Sequence, residues 1–203
     1  TQQFPSYMKN SFLRALSIAM LIAQCAVAAT DLPVSEVMKR FPGAASARVS
    51  ETTGLPVYIR FRPEQMPAAD QALLWVKRHG GLQGQVDFTY LNTTNDELGM
   101  QHIRYQELVN GYPVQGAVLI LHTGNGKLLA VNGELVSASD VSANTPQLTE
   151  QSALSAALQS VSARQYRWQV PFWEEQLKQT SGNTTATWYP KGTLMYARAN
   201  GTG

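Results

Sequence analysis

Three histidines, His79, His102 and His122, are the side chains in this 203-residue chain best suited to proton transfer or metal ligation. None belongs to a His-Glu-x-x-His pair, in which two imidazoles one helical turn apart hold zinc and the glutamate serves as base. His102 and His122 fall on two strands flanking one hairpin and meet across the ladder if the register permits. With no cysteine or acid at ligand spacing, a structural pair is the expectation for them. An exported hydrolase built on these two would need a zinc ion that no motif here supplies. His79 ends a helical segment beside Lys77 and Arg78, where a polar or cationic group complements the helix dipole.

Other chemistries have less support. Ser, His and Asp are all present, but no Gly-x-Ser-x-Gly elbow singles out a nucleophile. The carboxylate pairs Asp96-Glu97 and Glu174-Glu175 are adjacent in sequence, point apart on any regular element, and read as solvated surface. Gly124-Asn125-Gly126-Lys127 is too short for a phosphate loop and reads as a turn. Three Asn-x-Thr sequons, at Asn92, Asn183 and Asn200, matter only in a glycosylating host. No catalytic, cofactor-binding or metal-binding residue is therefore assigned, and no cofactor is expected in this chain.

The elements that position these groups begin after a leader. Lys9 and Arg14 are the only charges among residues 1–29, and Ala15 to Ala29 carries no charge and is rich in Ala, Leu, Ile and Met. Ala26-Val27-Ala28 then offers the small residues a signal peptidase reads, so residues 1–29 are expected to be an export signal, with 1–7 upstream of it. Fifteen uncharged residues fall short of the ~20 that span a bilayer, which speaks against a permanent membrane anchor. Cys25, the sole cysteine, follows Gln24 instead of the small residue that lipidation requires, and cleavage after Ala28 or Ala29 would leave a thiol-free protein that relies on its core. The formal charge of +2 comes entirely from the leader, because from Thr30 onward the balance is 14 basic residues against 14 acidic ones. Nucleic acid, which demands clustered Lys and Arg, is not an expected partner.

Beyond the leader, Val34 to Phe41 reads as a short helix closed by Pro42-Gly43, and Leu55 to Arg62 alternates as a strand. Pro67 opens a helix with Ala69, Leu73 and Val76 on one stripe and Gly80-Gly81 as its stop. Gln85 to Leu91, His102 to Val109, Val114 to His122 and Lys127 to Asn132 read as strands. Asn110-Gly111 and Gly124-Asn125-Gly126 supply tight hairpin turns, so the segment is an antiparallel meander. Asn132-Gly133 carries the same turn chemistry and predicts a further turn before a strand at Glu134 to Val136. The strand at Lys127 to Asn132 is expected to offer a sheet edge. Ser137 to Gln147 is polar, contains Pro146 and suggests a boundary. Thr149 then caps a helix running to about Ala163, with Leu154, Leu158 and Val161 on one face. A polar loop, Thr180 to Thr187, precedes an expected strand from Thr193 to Ala199. Tyr166, Trp168, Phe172, Trp173, Trp188 and Tyr189 place six of the 18 aromatics within 24 residues. They are expected to form the core of a second unit or an apolar patch for a partner.

The run Gly99-Met100-Gln101-His102-Ile103-Arg104-Tyr105-Gln106, then Asn110-Gly111-Tyr112-Pro113-Val114-Gln115-Gly116-Ala117, His122, Gly126-Lys127 and Val131-Asn132-Gly133, resembles the fungalysin/thermolysin propeptide domain. The resemblance covers about Asp96 to Leu135. Residues 149–199, through the Ala-rich helix, Tyr166-x-Trp168 and Pro190-Lys191-Gly192-x-Leu194, look like the opening of a PepSY domain. The resemblance implies an α+β pro-region: signal at 1–29, a propeptide unit at 30–145 with its core at about 96–136, and part of a PepSY-like unit at 146–203. It further implies secretion or a periplasmic location, a thermolysin-like zinc metallopeptidase catalytic domain as partner, and roles as intramolecular chaperone and inhibitor until proteolytic removal. Zinc and calcium would belong to that catalytic domain, since His-Glu-x-x-His is absent here and the chain itself is expected not to be an enzyme. A stand-alone exported inhibitor or binding module with the same fold is the alternative.

Overall fold

The computed structural model describes residues 29–142, 145–161 and 163–197. Seven antiparallel strands form one sheet: β1 (Ala29–Asp31), β2 (Ala44–Ser50), β3 (Pro56–Phe61), β4 (Val86–Asn95), β5 (Gln101–Val109), β6 (Tyr112–Gly124) and β7 (Lys127–Gly133). Their order in the sheet is β1-β2-β3-β7-β6-β5-β4, so two meanders join where β7 returns to pair with β3. The helices are α1 (Val34–Arg40), α2 (Ala72–His79), α3 (Glu150–Val161) and α4 (Pro171–Ser181). Among the described residues no helix is long and apolar enough to cross a membrane.

Strand alternation sorts side chains onto two faces. Ala47, Ile59, Val131, Leu121 and Ile103 follow one another in register across five strands. That row meets Val37 and Phe41 from the α1 region and Ala72 and Val76 from α2, closing the main core. The neighbouring row, Arg48, Tyr58, Asn132, Ile120 and Arg104, lies on the opposite face, away from α1 and α2. A smaller cluster gathers Val109, Val114 and Ala117 near the β5–β6 turn.

The hairpins turn where the Asn-Gly pairs stand. Asn110 and Gly111 adopt φ of 50° and 82°, and Asn125 and Gly126 adopt 50° and 70°. Asn132-Gly133 does not turn: both continue β7, with Asn132 paired to Tyr58 on one side and Ile120 on the other. Glu134 to Val136 consequently leaves the sheet as a link and forms no strand. Lys127–Gly133 is likewise no edge, being flanked by β3 and β6; the edges are β1 and β4. Thr193 to Ala197 holds a single parallel bridge, Tyr196 to Val114, in place of a strand.

The α2–β4 connection is pinned to the link that leaves β7. The Gln83 amide donates to Ser137 Oγ at 3.0 Å, and the Ala138 amide donates to the Gln83 carbonyl at 2.8 Å. Gly84 sits there at φ +77°, and a Cβ on it would lie 2.5 Å from the Ala138 Cβ. Left-handed strain and a clash with an atom that has no rotamer to escape into act together. Gly84→Ala should therefore destabilise the sheet domain by about 3 kcal/mol, read as a lower urea midpoint. An unchanged midpoint would show that the connection is not anchored at this point.

The C-terminal portion is built differently. Thr149 caps α3 through the Ser152 amide, 3.1 Å from Thr149 Oγ1. Neither α3 nor α4 contains a buried residue.

Candidate functional site

The hairpin brings two sequence-nominated histidines into direct contact. His102 and His122 are register partners on β5 and β6, and their Nδ1 atoms lie 2.7 Å apart with the rings steeply inclined at 76°. An acid stands beside them after all. Asp96, in the tight turn entering β5, reaches His102 Nε2 with Oδ2 at 3.2 Å. Its other oxygen accepts the Leu98 and Met100 amides, both at 2.9 Å, so Asp96 is a turn-forming and pairing residue and not merely solvated surface. The Met100 amide, followed by Leu98 and His102, holds its carboxyl below the ordinary carboxylate range against a smaller opposing cost of burial. At the far end, His122 Nε2 meets Asn132 Oδ1 at 2.8 Å. A continuous chain therefore runs Asp96–His102–His122–Asn132 across the β4–β5 turn and three strands.

Burial lowers the His122 pKa below the ordinary histidine value, with His102 and Arg104 repelling its charged form and the Asn132 hydrogen bond partly opposing them. The chain lies on an open sheet face, and among the described residues no group of three or more His, Cys, Asp or Glu gathers to hold a metal ion. His79 packs its ring on Trp75 at 5.1 Å, far along the sequence from this pair.

A second polar site was not foreseen. Glu107 is completely buried, and both carboxyl oxygens face the Val136 amide, at 3.0 and 3.3 Å. It anchors the link after β7 to the C-terminal part of β5. Burial, with a smaller contribution from Asp140, raises its pKa to about 7 against the pull of the Val136 hydrogen bond. The signal for it was available: alternation from Tyr105 to Val109 places Glu107 on the inward face.

The aromatic cluster does assemble. Tyr166 stacks on Trp168 at 4.4 Å, Tyr189 meets the Trp168 edge at 5.5 Å, and Trp188 donates its indole N–H to the Trp173 carbonyl. Arg167 lies over Trp173 and Trp188, at 5.4 and 4.8 Å. Glu174, expected to be plain surface, accepts the Trp188 amide at 2.8 Å. Phe172, Trp173, Trp188 and Tyr189 nevertheless remain between 39% and 61% exposed, so they do not form a buried core. A groove of about 450 Å³ opens between α3 and residues 191–194, lined by Leu148, Ala153, Leu154 and Leu194. Gly192 is tied to the start of α3 by its backbone N–H, which donates to Glu150 Oε1 at 2.9 Å.

Gly124 to Lys127 is a hairpin turn with no phosphate-binding context. The sequon residues Asn92 and Asn183 are exposed, while Asn200, Cys25 and the leader through Ala28 lie outside the described residues.

Residues 86–135 match the family model described as Fungalysin/Thermolysin Propeptide Motif. The match takes in all of β4 to β7, the four-strand meander that carries both the histidine chain and Glu107. Across 146 residues, 67% of the chain, the sequence is 29% identical to bacillolysin of Bacillus amyloliquefaciens. Across 73 residues it is 33% identical to bacillolysin of Bacillus subtilis strain 168, covering 35% of the chain. These alignments span only 28% and 14% of the two bacillolysins. The meander at residues 86–135 is thus similar to a thermolysin-like propeptide, and two thirds of the chain is similar to part of a bacillolysin.

Proposed function

We propose that this chain is the non-catalytic pro-region of a secreted thermolysin-like zinc metallopeptidase, acting as intramolecular chaperone and inhibitor until it is cut away. The observation that carries this reading is the coincidence of the family match with one structural unit, the β4–β7 meander. Residues 1–29 are the export signal, 30–145 the propeptide unit, and 146–203 the opening of a PepSY-like unit. The zinc and the catalytic base belong to the peptidase domain, because the sequence contains no His-Glu-x-x-His.

The physical case is one of templating. Extracellular proteases are commonly held by unfolding barriers more than by equilibrium stability, and a surface that binds the folding transition state lowers such a barrier without changing the product. Templating requires a sheet edge or an apolar face. Edge strand β4 supplies the first: beyond Phe88 its side chains are exposed, including Tyr90 and Leu91. The exposed aromatics of the C-terminal portion supply the second.

The test uses the cognate peptidase domain, denatured and diluted into buffer with or without an equimolar amount of this chain. The expected result is at least a tenfold gain in recovered peptidase, on the scale of a barrier lowered by about 1.4 kcal/mol. The recovered peptidase should stay inhibited until the chain is digested. Equal yields with and without the chain would overturn the chaperone reading, and full activity in the undigested mixture would overturn the inhibitory one.

A further inference from the structure

The hydrogen-bond chain Asp96–His102–His122–Asn132 has a strict proton count. Two Nδ1 atoms 2.7 Å apart share one proton: one nitrogen donates and the other accepts. His102 Nε2 faces the Asp96 carboxylate, which only accepts, so that nitrogen carries a proton. His122 Nε2 faces a side-chain amide, which accepts or donates depending on which way it is turned. With Asn132 offering its nitrogen, the pair holds two protons and is neutral. With Asn132 offering its oxygen, the pair holds three and carries one charge. A fourth proton would set two N–H groups head to head at a distance that only a hydrogen bond allows.

From this we propose that the Asp96–His102–His122–Asn132 chain is a one-proton latch, which accepts a first added proton in place and is broken by a second, loosening the β5–β6–β7 ladder in mildly acidic surroundings. The charged and titratable groups around it favour the same behaviour. From the β4–β5 turn, Asp96 neutralises the first added charge. From β5, Arg104 opposes the second. On β3, Arg60 stands in the same row across Ala130, and Tyr58 stands beside Asn132; neither brings a negative charge to the pair at acidic pH. Thr94, the register partner of His102 on β4, is neutral. Among these described neighbours no second carboxylate faces the pair to compensate a second imidazolium. The inference concerns the ladder itself and stands whether or not the chain serves a peptidase.

Long-range proton–nitrogen spectra of the full chain, with nitrogen-15 histidine, read the protonation of all four ring nitrogens from pH 8 to pH 4.5. The expected course is one proton uptake with the β5–β6 amides still protected from exchange. A second uptake then coincides with loss of the ring–ring coupling and of that protection. Asn132→Asp, which only accepts, should raise the first midpoint by about one pH unit. Asn132→Ala should not. Should the aspartate variant fail to fold, His102→Gln removes the opposing charge and moves the His122 midpoint up toward the ordinary histidine value, with the hairpin intact at pH 4.5. Two independent uptakes with the ladder unbroken would overturn the latch, as would midpoints indifferent to these substitutions.

Discussion

Glu107→Gln should make the domain more stable than the parent at pH 8, by about 3 kcal/mol, and leave it nearly unchanged at pH 4.5. The carboxyl of Glu107 is buried, and its pKa rises from an ordinary 4.5 to about 7 in the folded chain, chiefly through burial. Below pH 4.5 it is protonated in both states, so its contribution to stability is fully present there. Between 4.5 and 7 the unfolded chain releases the proton while the folded chain keeps it, so stability falls as pH rises. Above 7 both states are ionised, and the folded one holds a buried anion. Glutamine keeps an oxygen for the Val136 amide and has no charge to bury. Urea midpoints of parent and variant at the two pH values give the difference directly. The comparison is needed because His122 slopes the opposite way: its lowered pKa costs stability as pH falls below the ordinary histidine value. Parallel pH profiles for parent and Glu107→Gln would mean that Glu107 is solvated or differently paired.

How far these features were legible depends on whether their cause is local. Asn110-Gly111 and Gly124-Asn125-Gly126 announce their turns because the left-handed conformation is a property of those residues alone. Asn132-Gly133 has the same chemistry and stays extended, because strands on both sides take its backbone hydrogen bonds. The pairing of β3 with β7 joins segments about seventy residues apart, which no local pattern encodes, so Lys127–Gly133 read as an edge and is interior. Strand β2, Ala-Ala-Ser-Ala-Arg-Val-Ser, has too little apolar contrast to register; α1 above it and β3 beside it make it a strand. The meeting of His102 with His122 was foreseeable from the hairpin, while the approach of Asp96 required the turn geometry at Leu98 to Met100. α4 was missed for want of an apolar face, and it forms around Pro171 at its first turn and Gly182 at its stop. The two faces of the meander, by contrast, are written in its alternation, and that is where a second large effect lies.

Leu121→Ala should destabilise the domain by about 3–4 kcal/mol, and Ile120→Ala, one residue away, by about 1 kcal/mol or less. Leu121 is 1% exposed and stands within the core row, with Val131 on one side and Ile103 on the other. Removing three of its carbons leaves a void that a β-sheet closes poorly, since inter-strand spacing is fixed by the ladder hydrogen bonds. Ile120 projects to the face that α1 and α2 leave open, between Arg104 and Asn132, where water fills the space that truncation vacates. The ratio of the two losses, from urea midpoints measured side by side, therefore reports which face of β6 is covered in the isolated chain. A small loss at both positions would mean that the helices do not close over this sheet. A large loss at both would place a further layer on the open face, and the His102–His122 chain would then sit inside an interface and not beside water. Should Ile120→Ala become costly only when the peptidase is present, the open face of the meander would be its contact surface.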